Sequence, residues 1–440
     1  MRASLMASLA LAWAAATPAA AQTPAAADSA PSDSVFALWL GEVASRTDEE
    51  FQLQELSISD AEVDSLLRLW EATGKEPAPG DAAASQPRWR FDTEVAALRY
   101  NRVEGVNFMP RGELFAPTDR ELRAFGQVGY GWASEEVTWR GGFSAQLAHG
   151  AGQPTLEVAH ARDVYGYGSG GIPGNSLNAL LLNEDWDDYY LGEGGEASLA
   201  FSPGRFGIEL GFRGEDLESM ANATDASVRK GSFRPNPPID PGRSRSLELS
   251  LAWGDENLSP LAASARGLVA GRGLGGDFEY ESWRAEALGR KTLWFGDLLT
   301  ARLSGGSVRG NVPYQGLHLL GGFKTLRGYD VNEIPARRYA HARVDYKIGT
   351  DLLQWVPFVR HFRLQPAPFF DGAAILERQE RDGRAVGLAD PDWRFSTGIE
   401  IRQNILGVPG GGGQVRLDVT RRLDRSQDAW TYRFGFTAGQ

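Results

Sequence analysis

Trp393-Arg394-Phe395-Ser396-Thr397-Gly398-Ile399-Glu400-Ile401-Arg402 is the stretch whose reading decides the fold. Trp393, Phe395, Thr397, Ile399 and Ile401 alternate with Arg394, Ser396, Gly398, Glu400 and Arg402. A period of two belongs to extended chain, with apolar side chains on one face and charged or tiny ones on the other. The same alternation recurs outward from this segment. Phe206, Ile208, Leu210 and Phe212 alternate with Gly207, Glu209, Gly211 and Arg213. Leu247, Leu249, Leu251 and Trp253 alternate with Glu248, Ser250, Ala252 and Gly254, and Val415, Leu417 and Val419 with Gln414, Arg416, Asp418 and Thr420.

A soluble β-sandwich would share this pattern, so other features must decide. The alternation persists over about 350 residues, without the helices an α/β protein would interpose. Aromatic residues end many apolar faces, as interfacial girdles require. Glycine is abundant on the polar face. Strands that cross lipid must close into a barrel, because open edges would leave backbone groups unpaired. The last segment adds to this: Trp430, Tyr432, Phe434 and Phe436 alternate with Thr431, Arg433, Gly435 and Thr437, and Ala438, Gly439 and Gln440 follow. The expected fold is all-β, a transmembrane antiparallel β-barrel over residues 88–440.

The chain has 440 residues, 53 glycines, 13 tryptophans and no cysteine, which removes disulfides and thiolate chemistry. Its net charge of −12 argues against a nucleic-acid partner, which needs clustered Lys and Arg. The mean hydropathy of −0.33 argues against a helical membrane protein. It leaves a barrel open, because half of each strand faces a polar lumen.

The N-terminus reads as an export signal over residues 1–21. Arg2 is the positive start, Leu5 to Ala16 the apolar run, and Ala19-Ala20-Ala21 the cleavage site before Gln22. Residues 22–34, rich in Ala, Pro, Ser and Asp, read as a linker. Residues 35–87 read as a short periplasmic segment with a helix near 59–73. Ser59 and Glu62 form a capping box there, Val63, Leu66, Leu67 and Trp70 share a face, and Gly74 ends the helix. A plug or clip on the barrel mouth is the plain reading of that helix, and a partner-binding helix the other.

About fifteen alternating segments can be marked, and single-chain bacterial barrels have even strand numbers, so sixteen is expected, with fourteen the alternative. Two longer connections, at about 167–187 and 216–243, are expected on the extracellular side, since periplasmic turns are short.

One stretch points to a family: Leu319-Leu320-Gly321-Gly322-Phe323-Lys324-Thr325-Leu326-Arg327-Gly328-Tyr329. It resembles the Gly-Gly…Leu-Arg-Gly-Tyr/Phe motif of the BamA/TamA superfamily, whose C-terminal domain is the bacterial surface antigen domain. In that family the motif lies on a long loop folded back into a sixteen-stranded barrel, with five strands after it. Here five segments follow, at 338–348, 362–375, 392–404, 413–422 and 428–438. The inward loop is expected at about 309–335. Asp345 falls where the family places a lumen-facing acid. Phe369-Phe370-Asp371-Gly372-Ala373 resembles the family's Phe-x-Asp-x-Gly motif, with Ala373 in place of the final glycine and Gly372 before it. Tyr100-Asn101-Arg102-Val103-Glu104-Gly105 resembles the opening strand of some surface-antigen-type proteins. Residues 22–90 are too few for the POTRA domain of well-known members, so a minimal N-terminus is expected.

The resemblance implies a loop lock. Gly321, Gly322, Leu326, Arg327, Gly328 and Tyr329 carry the loop motif, Asp371 pairs with Arg327, and Asp345 lies nearby. A guanidinium inside a barrel needs a carboxylate, and its planar fork suits one. Gly328 is expected to let the backbone turn beside the wall. The lock either tunes barrel opening or only satisfies buried charge. The implied function is to aid insertion, translocation or anchoring of envelope proteins from the bacterial outer membrane. Outer-membrane lipid and lipopolysaccharide are the surroundings, with client proteins or barrel-assembly components as partners. A passive pore for small solutes is the alternative, and a lipid hydrolase stands third.

Other chemistry is thin. Glu184, Asp185, Asp187 and Asp188 around Trp186 could offer oxygen ligands to calcium, but a solvated acidic loop is the commoner case. His149, His160, His318, His341 and His361 show no metal-ligand spacing. Gly410 to Gly413 reads as a turn. No nucleophile motif, metal or cofactor is expected.

Overall fold

The computed structural model describes residues 90–438, apart from 117–121, 149–151, 169–173, 257–258, 294–295, 350–363, 380–384, 406–412 and 425–429. The export signal, the linker and the helix expected near 59–73 lie outside the described residues.

Residues 86–440 form one compact unit. Its strands run in chain order: β1 (Arg90–Asn101), β2 (Gly105–Phe115), β3 (Leu122–Gly131), β4 (Glu136–Gln146), β5 (Thr155–Tyr167), β6 (Asp188–Phe201), β7 (Phe206–Ser219), β8 (Gly242–Trp253) and β9 (Leu261–Ala270). Then come β10 (Glu279–Thr292), β11 (Leu298–Asn311), β12 (His318–Leu320), β13 (Ile334–Lys347), β14 (Gln365–Gln379), β15 (Ala385–Ile405), β16 (Gly413–Arg422) and β17 (Thr431–Ala438). All pairings are antiparallel between sequence neighbours, except that β11 pairs directly with β13. The three-residue β12 belongs to the β11–β13 connection and pairs with the start of β13, Leu319 opposite Pro335. Of the 17 described strands, the wall therefore holds all but β12, or sixteen. Five of them follow Tyr329.

The two faces differ as a membrane wall requires. Phe143, Leu210, Leu249, Leu303 and Ile399 are exposed on the outer face, whereas Asp371, Ser396, Glu400 and Asp418 are buried inside. A soluble sandwich would bury the first set, while lipid solvates it. The register places inward charges side by side across strands. Arg140 reaches Glu157 at 3.2 Å, and Arg213 reaches Glu196 at 3.1 Å. Such pairing offsets the desolvation of each ion.

The connections thicken one end. The long ones are 168–187 and 220–241, the latter shorter than expected because β7 continues to Ser219. Tyr167 at the end of β5, Leu217, Ile239, Phe278, Val312 and Leu317 pack into one apolar cluster that joins the 220–241 connection to the β11–β13 connection.

Candidate functional site

The β11–β13 connection, residues 312–333, turns into the lumen, and glycine makes the reversal possible. Gly321 and Gly322 have φ of +117° and +89°, a region that side chains disfavour. A Cβ on Gly321 would lie 2.0 Å from the Asp330 carbonyl oxygen. The Gly322 N–H donates to the carbonyls of Leu326 and Tyr329, both at 3.1 Å, closing a compact turn. Leu326 and Tyr329 are fully buried with Leu320, Tyr339, Ala373 and Ile375.

Arg327 sits at the tip with no exposed surface. Its Nε and Nη2 donate to Asp371 at 2.9 and 2.7 Å, a two-point fork, and its backbone N–H reaches the same carboxylate at 3.1 Å. Nη1 donates to Asp345 at 2.6 Å and to Glu400 at 3.2 Å. The guanidinium lies over the Phe369 ring, 3.3 Å from its centroid. That ring fits because Gly398 lies beside it, where a Cβ would come within 2.9 Å. Burial alone would lower the Arg327 pKa, but Asp371 and then Asp345 outweigh it, so the group stays above its ordinary value and charged.

The wall also holds the loop backbone. Arg433 donates to the carbonyls of Arg327 and Tyr329, and Arg422 to that of Gly328 at 2.8 Å. Arg343 donates to the Phe323 carbonyl at 2.9 Å, and His341 Nε2 lies 3.1 Å from that of Thr325. His341 Nδ1 is 3.3 Å from Ser304 Oγ. This Ser–His contact is covered by the loop and bonded to its backbone, so it serves as a loop anchor.

Gly321, Gly322, Leu326, Arg327, Tyr329, Phe369, Asp345 and Asp371 come together in one place. Gly328 and Gly372 have different surroundings. Gly328 lies at the third position of a turn closed by the Tyr329 N–H on the Leu326 carbonyl at 3.0 Å, but its φ is not positive, so the glycine serves close approach rather than a left-handed backbone. Its Cβ would lie 2.7 Å from that of Ser396, whose hydroxyl accepts from the Gly328 N–H at 3.3 Å. Gly372 lies off the lock, beside the ring of Phe395. The family's final glycine position is taken by Ala373, whose methyl is buried against the loop and is accommodated there.

Glu400 is a partner that the sequence reading missed. It is fully buried and bonded to Arg327, to Arg416 at 3.0 Å and to Arg402. Its alternation on β15 put it on the polar face, but only the register with β14 and β16 brings it to the loop tip.

Glu184 is exposed, but the acids at 185–188 are not in a solvated loop. Asp185, Asp187 and Asp188 are buried, and Arg102 of the β1–β2 turn donates to Asp188 at 2.8 Å and lies 3.2 Å from Asp185. Among the described residues, no cluster of acids and histidines suited to a metal is found.

An antiparallel wall with a lipid-facing outer surface and paired charges inside defines an outer-membrane β-barrel. The Omp85 superfamily domain matches residues 238–440, which include the whole Arg327 site. BamA from Haemophilus ducreyi lacking POTRA domains 1–3 shares the fold at a TM-score of 0.51 and 12% identity, over 80% of this chain and 69% of that one. CdiB from Acinetobacter baumannii aligns at a TM-score of 0.38 and 11% identity, over 80% and 59%. No curated protein matches the sequence. Residues 238–440 match the Omp85 superfamily domain, and the chain has the fold of a β-barrel of the bacterial outer membrane.

Proposed function

We propose that this barrel aids the insertion, translocation or anchoring of other envelope proteins, acting without covalent chemistry. The observation that carries the reading is the Leu319–Tyr329 loop, folded into the lumen and fixed there by Arg327 on Asp371, Asp345 and Glu400. A passive pore needs no more than a constricting loop, and a buried charge lock on it goes beyond that. A protein whose wall must deform and recover gains a fixed internal brace. The lock roles of Arg327, Asp345 and Asp371 are part of this proposal, as are client envelope proteins and lipopolysaccharide as partners. An oxygen-ligand metal, a cofactor and a catalytic step have no place in it.

The test is reconstitution of the purified barrel in outer-membrane lipid vesicles, followed by addition of urea-unfolded client barrels. Faster client folding than in empty vesicles, reduced by Arg327→Ala in a folded barrel, is the expected result. Unchanged client folding together with steady solute conductance would favour a pore.

A further inference from the structure

β1 pairs with β2, and β17 pairs with β16. Among the described residues, no backbone ladder joins β1 to β17. Each strand thus turns one edge toward the seam, where unpaired backbone groups are costly. The β5–β6 connection occupies that place: residues 175–182 pack against both strands.

The contacts are those a strand would make. Asn178, fully buried, donates from Nδ2 to the Phe436 carbonyl at 2.9 Å and accepts the Phe436 N–H on Oδ1. A carboxamide holds a donor and an acceptor as a peptide group does, so Asn178 stands in for one residue of a missing strand. On the other side, the Tyr100 N–H of β1 donates to Ser176 Oγ at 3.0 Å. Trp186 lies against β17 only because residue 435 is glycine, where a Cβ would come within 2.1 Å of the ring. Arg102, beyond the end of β1, is tied to Asp185 and Asp188 of the same connection.

We infer that the β5–β6 connection is a latch on the seam between β1 and β17. Asn178 and Ser176 are its contact points, and it must swing out before the seam can part. Among the described residues, side-chain bonds at one point on each strand hold it, where every other wall junction has a backbone ladder. The segment is also wound in an unusual form. Residues Asn178–Leu182 make a π-helical turn, ended by Asn183 at φ +59°. A π-helical turn is uncommon and is found often at functional sites. The latch does not depend on the proposed function, since a pore would have the same seam.

The test compares wild type with Asn178→Asp and with Asn178→Ala/Ser176→Ala, all as full chains in lipid nanodiscs. Heat-modifiable mobility on gels shows which are folded. Asn178→Asp keeps the shape but loses the donor and sets a carboxylate against the Phe436 carbonyl. Hydrogen exchange should rise about tenfold or more at Tyr100 and Phe436, as loss of those bonds implies, with the β6–β8 ladder unchanged. Conductance bursts should appear or lengthen in planar bilayers. Folded variants with unchanged exchange at both amides would overturn the latch. An equal rise in every strand would also overturn it, because the loop would then be general scaffolding. Should the double variant not fold, Ser176→Ala alone must raise exchange at Tyr100 for the inference to stand.

Discussion

Gly328 and Ser396 meet where the loop touches the wall, and a methyl group at Gly328 would decide whether the loop seats. Gly328→Ala places a Cβ 2.7 Å from that of Ser396. Overpacking of this kind costs about 1–3 kcal/mol. The expected result is a lower urea midpoint for the barrel in lipid, partly restored by adding Ser396→Gly. Arg327 should matter more. Removing one partner of a buried ion pair costs about 3–5 kcal/mol, because the other charge is left stranded. Arg327→Ala is therefore expected to lose about that much stability, and Arg327→Lys less, since an ammonium keeps the charge but not the fork. A double-mutant cycle of Arg327→Ala with Asp371→Ala checks this, with a coupling of roughly 0.5–3 kcal/mol expected. Additive losses would mean that the fork contributes little.

At the scale of elements, the wall was legible and the interior only in part. Trp393 to Arg402 carries its own period, so its strand and its faces could be read from the residues alone. The loop tip was legible through the resemblance at Leu319–Tyr329. Glu400 was visible as a polar-face residue but not as a partner of Arg327, because register is a property of strand pairs. The acids at 185–188 misled for a similar reason. Their partner, Arg102, lies far away in sequence, and nothing local distinguishes a buried acidic loop from a solvated one. The seating of Gly328 also required knowing which strand lies opposite it. The loop should behave as a separable element, because the wall ladders do not pass through it. Leu326→Ala, which empties part of the buried cluster, is expected to cost about 2–5 kcal/mol. It should let trypsin cut after Lys324 or Arg327 while the barrel still migrates as a folded form. Uncut protein after prolonged digestion would mean that the loop is held by the wall contacts alone.

For the whole molecule, the outer surface and the filled interior point in one direction. Exposed residues such as Phe143 and Leu303 need lipid, and the inward charges need one another. On the proposed reading, the internal loop and the latch at the seam would hold the barrel shut until something opens it. The most direct test of that account is quantitative proteomics of the outer membrane after the wild-type protein is replaced by a folded Arg327→Ala variant at equal abundance. Loss of a defined set of other barrels or surface lipoproteins, by about twofold or more, is the result expected of an assembly factor. An unchanged outer-membrane proteome with altered small-solute uptake would contradict it and identify the barrel as a pore.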